Sequence, residues 1–218
     1  MRTAVIGHTE WVEFGRVQAI PGPGDPPKPR LAFGAPLPIG MTADGELIDV
    51  VLTERWPRWR VREALEPHVP VGWHLTDLAD VWLGGPALAG AVAAADYRIT
   101  LESGEGVTSE AVATAAKTLL DATSLPRSRE KGGGSVEYDL RPLLIALAVE
   151  GDGSGSPVVV HARTRFHPSL GTGRPEEVIA ALADALGRPL TASAIARERL
   201  LLADALDEPP PPIDRSAV

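Results

Sequence analysis

Apolar residues recur at helical spacing in two segments of the second half of the chain. Between residues 108 and 122 they fall at 111/112, 115/116 and 119/120, which is the period of an amphipathic helix. A side-chain oxygen of Thr108 or Ser109 can accept a hydrogen bond from the first free backbone N–H groups, so the N-cap is placed there. Pro175, followed by two glutamates, favours a second helix start, and Gly187 favours its end.

Short apolar or alternating runs in the same half predict β-strands. They cover residues 97–101, 136–140, 143–149 and 158–164. With the helices, the order is β-α-β-β-β-α, followed by one further element at residues 193–202. The propensities of this last segment favour a helix, whereas Arg197 and Arg199 on either side of Glu198 fit one face of an edge strand, and the pattern leaves both open.

The first half predicts a β-β-α-β order. Residues 3–6 and 11–17 are short strand candidates, and the run at 21–30 is too rich in proline for a helix or a central strand, so we expect a loop or an extended arm. Residues 31–39 and 46–53 fit a hairpin around a turn signal at 42–45. Pro57 favours the start of a short helix, and residues 70–80 are interpreted as a returning strand.

A shift in composition divides the chain into two halves. All five tryptophans precede residue 83, whereas the remainder is rich in Ala, Leu and Arg, so we place a boundary near residues 94–96. We expect atypical N-terminal strands over 1–24, a first half over 25–96, a second half over 97–204 and a disordered tail over 205–218, where four consecutive prolines occur.

Composition and charge exclude several classes of chemistry. The count of Cys is 0, so this chain supplies no disulfide, thiolate metal site, catalytic thiol or iron–sulfur ligand. No apolar run reaches the roughly 20 residues that span a bilayer, and a signal-peptide pattern is missing, so we expect a cytoplasmic protein without a membrane partner.

The net charge of −8 disfavours long-range attraction to nucleic acid. The five histidines show no metal-binding spacing, and we predict neither a metal nor a cofactor.

Two basic clusters are candidates for binding. Arg127, Arg129 and Lys131 stand beside three glycines at 132–134, a hinge on which a loop could close on an anionic group. The alternative, which the spacing alone favours, is a solvated hairpin tip.

Asp139, Arg141 and Pro142 form the second cluster. Asp139 and Arg141 share a face if their strand continues, and the favoured interpretation is structural pairing of Arg141 with a carboxylate across the sheet. We find no nucleophile–base pair and no nucleotide-binding motif, so no catalytic residue is predicted.

Several sequence blocks resemble a known family. The blocks are GDPPKPRLAFGAPLPIG (24–40), TADGELIDV (42–50), AAADYRITL (93–101) and VEYDLRPLL (136–144). They occur in the order found in a bacterial family of radical-SAM-linked proteins of unknown function, and the resemblance extends over about residues 24–204. Residues 1–24 instead resemble the first strands of a ribokinase-like carbohydrate kinase, but the chain is too short for the later catalytic loop, so sugar kinase activity is not implied.

The resemblance implies a fold and a partner. The fold is α+β, with two ferredoxin-like halves of which the first is incomplete at its N-terminus, and this favours a strand at residues 193–202. The partner is a cobalamin-binding-type radical SAM enzyme, beside which this chain would be an accessory, non-redox protein that presents substrate. Its candidate binding residues are Lys28, Pro29 and Arg30 of the proline-rich arm, together with Asp139, Arg141 and Pro142.

A second hypothesis is an RNA-binding module independent of such an enzyme. Ferredoxin-like sheets recur in RNA recognition, and Arg127, Arg129 and Lys131 could contact phosphates. The negative net charge argues against it, although an RNA substrate also fits the first hypothesis. An enzyme in its own right is the weakest of the three.

Overall fold

The structure, a computed structural model, describes residues 2–3, 30–52, 54–82, 84–104, 106–131, 133–151 and 157–207. The strands are β1 (Arg2–Thr3), β2 (Leu31–Phe33), β3 (Thr42–Ala43), β4 (Ile48–Val50), β5 (Leu78–Ala79), β6 (Val92–Leu101), β7 (Pro126–Lys131), β8 (Gly134–Asp139), β9 (Leu144–Glu150), β10 (Val159–His167), β11 (Gly171–Thr172) and β12 (Ala192–Leu202). The helices are α1 (Arg58–Leu65), α2 (Leu88–Ala91), α3 (Ser109–Asp121) and α4 (Pro175–Leu186). This mixture of sheets and helices confirms the α+β class.

The described residues divide into two compact units. Unit 1 lies within 1–37 and 45–92, and unit 2 lies within 38–44 and 93–218. The short segment 38–44, which the sequence places in the first half, therefore contributes to unit 2.

Unit 1 contains a small antiparallel sheet. Its strand order is β2-β4-β1-β5. Leu31 lies opposite Val50 and Phe33 opposite Ile48, which confirms the antiparallel pairing predicted for residues 31–39 and 46–53. The turn predicted at 42–45 is wrong for its first two residues, because Thr42 and Ala43 pair with β12 as strand β3. Alternation along β4 buries Ile48 and Val50, because successive side chains of a strand point to opposite faces.

The core of unit 1 forms around α1. Val61 and Leu65, four residues apart on this helix, are buried with Leu75 and Leu78. The helix predicted after Pro57 is confirmed. The strand predicted over 70–80 is wrong for most of its length, because Trp73 N–H donates to Pro70 C=O at 3.0 Å in a turn, and only Leu78–Ala79 pair as a strand.

Unit 2 is built on a larger sheet. Its strand order is β11-β10-β6-β12-β3, and β9 pairs with β10. Hairpin β7–β8 forms a separate two-stranded sheet. Residues 192–202 are a strand, as the resemblance implied, and β12 lies beside β6.

Both predicted helices of unit 2 are confirmed. The Thr108 hydroxyl accepts a hydrogen bond from Ala111 N–H at 3.2 Å and so caps α3. Helix α4 begins at Pro175 and is followed by Gly187, whose φ of 67° places it in the left-handed region that favours glycine.

The sheet of unit 2 has an apolar face and a polar face. Ile99 lies opposite Val160 and Tyr97 opposite Ala162, whereas Asp96 lies opposite Arg163 and Arg98 opposite His161. The Ile99 side carries buried apolar residues. Charged side chains are therefore gathered on the other face.

Candidate functional site

Asp96 is the centre of a buried ion cluster on the polar face. Its Oδ1 lies 2.7 Å from Arg163 Nε, and its Oδ2 lies 3.0 Å from Arg163 Nη2 and 2.8 Å from Arg199 Nε. The side chains of Asp96 and Arg163 are only 5% and 6% exposed. Arg163 also donates to Leu206 C=O. The cluster connects β6, β10 and β12, and in this arrangement the two arginines stabilise the sheet.

A second cluster surrounds His161. Its Nε2 lies 3.3 Å from Glu150 Oε2, and its Nδ1 lies 3.6 Å from Glu198 Oε2. The hydrogen bond to Glu198 raises the pKa of His161; burial opposes this effect, and Glu150 adds to it. The imidazolium form is therefore favoured between the two carboxylates.

Arg98 extends this cluster toward the segment 38–44. Its Nε lies 3.3 Å from Glu198 Oε1, and its Nη2 lies 3.0 Å from Asp44 Oδ2. Asp44 directly follows β3, and its backbone N–H donates to Arg197 C=O at 2.9 Å. The guanidinium of Arg98 thus connects β12 to the end of the short edge strand.

Arg127, Arg129 and Lys131 lie in hairpin β7–β8, so of the two interpretations the structure agrees with the hairpin and not with the closing loop. Residues 126–131 pair antiparallel with residues 134–139, with Arg129 opposite Val136. Gly133 has a φ of 83° and lies in the turn between these two strands. Lys131 is the last residue of β7. Alternation directs Arg127 and Arg129 to the same face of the hairpin.

Carboxylates of α4 neutralise that face. Arg127 forms an ion pair with Asp184, and Arg129 Nη1 lies 3.6 Å from Glu177 Oε1. The Arg129 guanidinium also stacks over the Tyr138 ring, 4.8 Å from its centroid. Burial and a hydrogen bond to Glu177 raise the pKa of the Tyr138 hydroxyl. The hairpin is held to α4 by these contacts, which compete with binding of an external anion.

Asp139 and Arg141 stabilise the turn after the hairpin. Asp139 Oδ1 accepts hydrogen bonds from Leu125 N–H at 2.7 Å and Arg141 N–H at 2.9 Å. Burial raises the pKa of Asp139, but these two bonds, Ser124 and the charge of Arg141 outweigh it, and the pKa lies below its ordinary value.

The Arg141 guanidinium does not bind a carboxylate across the sheet, and that prediction is wrong. It donates to Leu120 and Ala122 C=O at the end of α3, and to Leu144 C=O. The last carbonyls of a helix have no intrahelical donor and carry partial negative charge, so a planar cation suits them. Pro142 lies in the 3₁₀ turn Arg141–Leu143.

Arg30 is the described residue of the predicted proline-rich arm. Its side chain is exposed, and its C=O accepts a hydrogen bond from Val51 N–H at 3.2 Å, so its backbone is fixed beside β4. Lys28 and Pro29 lie outside the described residues, as do residues 4–24 of the segment that resembles a carbohydrate kinase.

The described residues contain neither a metal-binding group nor a membrane-spanning helix. Among them, no group of three or more His, Cys, Asp or Glu side chains is placed to hold a metal ion. None of the helices in the described part of the chain has the length and apolar character needed to cross a membrane.

Comparison with known proteins identifies a family. Residues 24–173 match the family described as "Uncharacterized protein conserved in bacteria (DUF2344)". The chain belongs to the DUF2344 family. No curated protein matches this DUF2344 chain.

The sequence prediction missed both clusters on the polar face. The sequence contains a signal for the Asp96 cluster, because Asp96 directly follows the apolar residues 92–95, and a carboxylate buried beside such a run needs a charged partner. The alternation of Arg197, Glu198 and Arg199 was noticed, but nothing in the sequence identified His161 and Arg163 as the facing residues.

Proposed function

We propose that this DUF2344 protein is an accessory, non-redox protein that works with a cobalamin-binding-type radical SAM enzyme and presents its substrate. The partner class comes from the resemblance of residues 24–204 to radical-SAM-linked proteins. With a cysteine count of 0, the chain offers no thiolate for an iron–sulfur cluster. In this proposal the radical is generated by the partner, and this chain contributes binding.

The proposal that this chain binds the substrate rests on the exposed side chain of Arg30. Arg127, Arg129 and Arg141 are engaged by carboxylates or carbonyls. Arg30 is exposed, and within the described residues it forms no ion pair. An exposed guanidinium on a fixed backbone suits recognition of a carboxylate or phosphate group, because its planar fork can bind two oxygens. Lys28 would add a second positive charge.

Co-expression with a cobalamin-binding-type radical SAM enzyme tests the proposal. We expect a complex that survives size-exclusion chromatography, and we expect Arg30→Glu to weaken it or to reduce conversion of the enzyme's substrate. Arg55→Glu is the matched control, since Arg55 is an exposed arginine of unit 1 whose pair with Asp80 is solvated.

The outcomes separate two parts of the proposal. If the wild-type chain neither binds the enzyme nor alters its product, the accessory function is wrong. If the chain binds and both variants behave like the wild type, the assignment of Arg30 is wrong while the partnership stands.

The RNA-binding alternative receives less support. It depends on Arg127 and Arg129, whose charges are compensated by Asp184 and Glu177. A filter-binding titration at low salt tests it, because phosphate contacts make RNA affinity fall steeply with salt concentration. Salt-sensitive binding that is lost on Arg127→Gln would favour the alternative over the accessory function.

We also interpret unit 2 as a ferredoxin-like half. With the β7–β8 hairpin as an insertion, its order is β6-α3-β9-β10-α4-β12, and its sheet order β9-β10-β6-β12 supports this interpretation. The pairs β9–β10 and β10–β6 are antiparallel. We interpret unit 1 as the incomplete half. NMR contacts between neighbouring strands test the interpretation of unit 2, and a strand order other than β9-β10-β6-β12 would contradict it.

A further inference from the structure

Five charged groups alternate in sign along the polar face of unit 2. In spatial order they are Glu150, His161, Glu198, Arg98 and Asp44, and their closest atoms lie 3.0–3.6 Å apart. They come from β9, β10, β12, β6 and the residue after β3. The series therefore reaches from the outer strand β9 to the segment 38–44 at the other side of the sheet.

The protonation state of His161 decides whether the alternation is complete. A neutral imidazole has one N–H donor, whereas the imidazolium has two. Both ring nitrogens of His161 face carboxylate oxygens, of Glu150 and Glu198, so only the imidazolium can donate to both. Loss of that proton leaves Glu150, Glu198 and Asp44 beside the single positive charge of Arg98.

We propose that these five residues form a proton-dependent clasp, in which protonation of His161 strengthens the attachment of segment 38–44 to the sheet and deprotonation weakens it. Only a few contacts attach this segment to the sheet. Thr42 and Ala43 pair with Ala196 and Arg197, and Asp44 adds one backbone hydrogen bond and the ion pair with Arg98. A change of one charge in the series therefore acts on a small contact.

The direction and size of the effect follow from the surroundings of each group. The pKa of His161 is raised above its ordinary 6.5, so the contribution is fully present below that pH and disappears as the pH rises through the folded pKa. Arg98 and Asp44 are 45% and 54% exposed, and exposed pairs of this kind shift equilibria by about two- to fivefold. We therefore expect protonation of His161 to change the equilibrium between attached and detached segment 38–44 by about two- to fivefold.

Titration of His161 by NMR tests the coupling directly. Linkage is reciprocal, so removal of the Asp44 charge in Asp44→Asn should lower the pKa of His161, because less negative charge remains near the ring. Asp80→Asn removes an exposed carboxylate of unit 1 and should leave the titration unchanged. If His161 titrates at the same pH in Asp44→Asn and in the wild type, the clasp does not exist.

Hydrogen exchange of the Asp44 amide tests the consequence. Its protection factor, corrected for the intrinsic pH dependence of exchange, should fall about two- to fivefold as the pH rises through the titration of His161. His161→Gln should abolish this dependence, and His74→Gln, a change at an exposed histidine of unit 1, should retain it. A wild-type protection factor that stays constant, or a dependence that persists in His161→Gln, would overturn the proposal.

Discussion

Replacement of Asp96 by asparagine should destabilise unit 2 more than any single change at its surface. Asp96→Asn keeps the shape of the side chain but removes its charge, and with it the ion pairs to Arg199 and to the guanidinium of Arg163, which is only 6% exposed. Breaking a buried pair from one side typically costs about 3–5 kcal/mol. Arg199 is 29% exposed and can be solvated by water, so we expect the lower end, about 3 kcal/mol.

Urea and thermal unfolding followed by far-UV circular dichroism measure this cost. For a chain of this size about 3 kcal/mol corresponds to a decrease in Tm of roughly 6–12 °C. Far-UV circular dichroism reports chiefly on α3 and α4, whereas Trp56, Trp59, Trp73 and Trp82 belong to unit 1, so the fluorescence of these tryptophans monitors that unit separately.

Two controls make the result interpretable. Asp121→Asn removes an exposed carboxylate from the pair with Lys117 on α3 and should leave the unfolding transition almost unchanged, because water screens exposed pairs. The double variant Asp96→Asn/Arg163→Met removes both buried charges and should be more stable than Asp96→Asn alone. The reasoning is refuted if Asp96→Asn unfolds at the same temperature as Asp121→Asn, or if the double variant is the less stable of the two.

Three further substitutions probe the turns and helix ends. The pKa of Asp139 is lower in the folded protein than its ordinary value of 3.8. The ionised carboxylate therefore stabilises the fold at pH values above 3.8, and this stabilisation is lost as the pH falls through the folded pKa. Asp139→Asn should therefore lose less stability than the wild type between about pH 5 and about pH 2 in urea titrations, and an identical pH profile would contradict this. Arg141→Lys exchanges a planar fork for a single ammonium and should cost about 1–3 kcal/mol; an unchanged urea midpoint would argue against its role at the end of α3. Gly187→Ala should lower the free energy of unfolding by about 1 kcal/mol because alanine is strained at a positive φ. Gly90→Ala is the control, since Gly90 has open space around it in α2, and it should be neutral or stabilising. Equal urea midpoints for the two variants would contradict the backbone strain expected at residue 187.

The sequence predicts correctly those helices whose apolar period or terminal residues are visible within the helix itself. Helix α3 has a regular apolar period and a capping threonine, and α4 is marked by Pro175 and Gly187. Residues 192–202 show the limit, because their propensities favour a helix and the strand forms through pairing with β6. The strand predicted over residues 70–80 is wrong for a related reason: Gly72, with a φ of 86°, allows a turn inside the predicted strand.

The partners of the charged residues in the candidate site could not be predicted from the sequence. Arg127 and Arg129 were correctly recognised as a cluster, but their partners Asp184 and Glu177 lie on α4, about 50 residues further along the chain. Asp96 and Arg163 are similarly distant. Spacing identifies groups that are neighbours along one element, whereas these charges meet through strand register and helix packing, which a single sequence does not specify.

The pairing of β3 with β12 also affects how the protein folds during its synthesis. Thr42 leaves the ribosome about 150 residues before its partner Ala196, which at ordinary elongation rates is a delay of roughly 8–30 s. Throughout that interval the nascent segment 38–44 has no strand to pair with. The edge of this sheet is therefore completed late, after β12 has emerged, and a fragment cut at the boundary between the halves would expose the backbone of β12 to pairing with other chains.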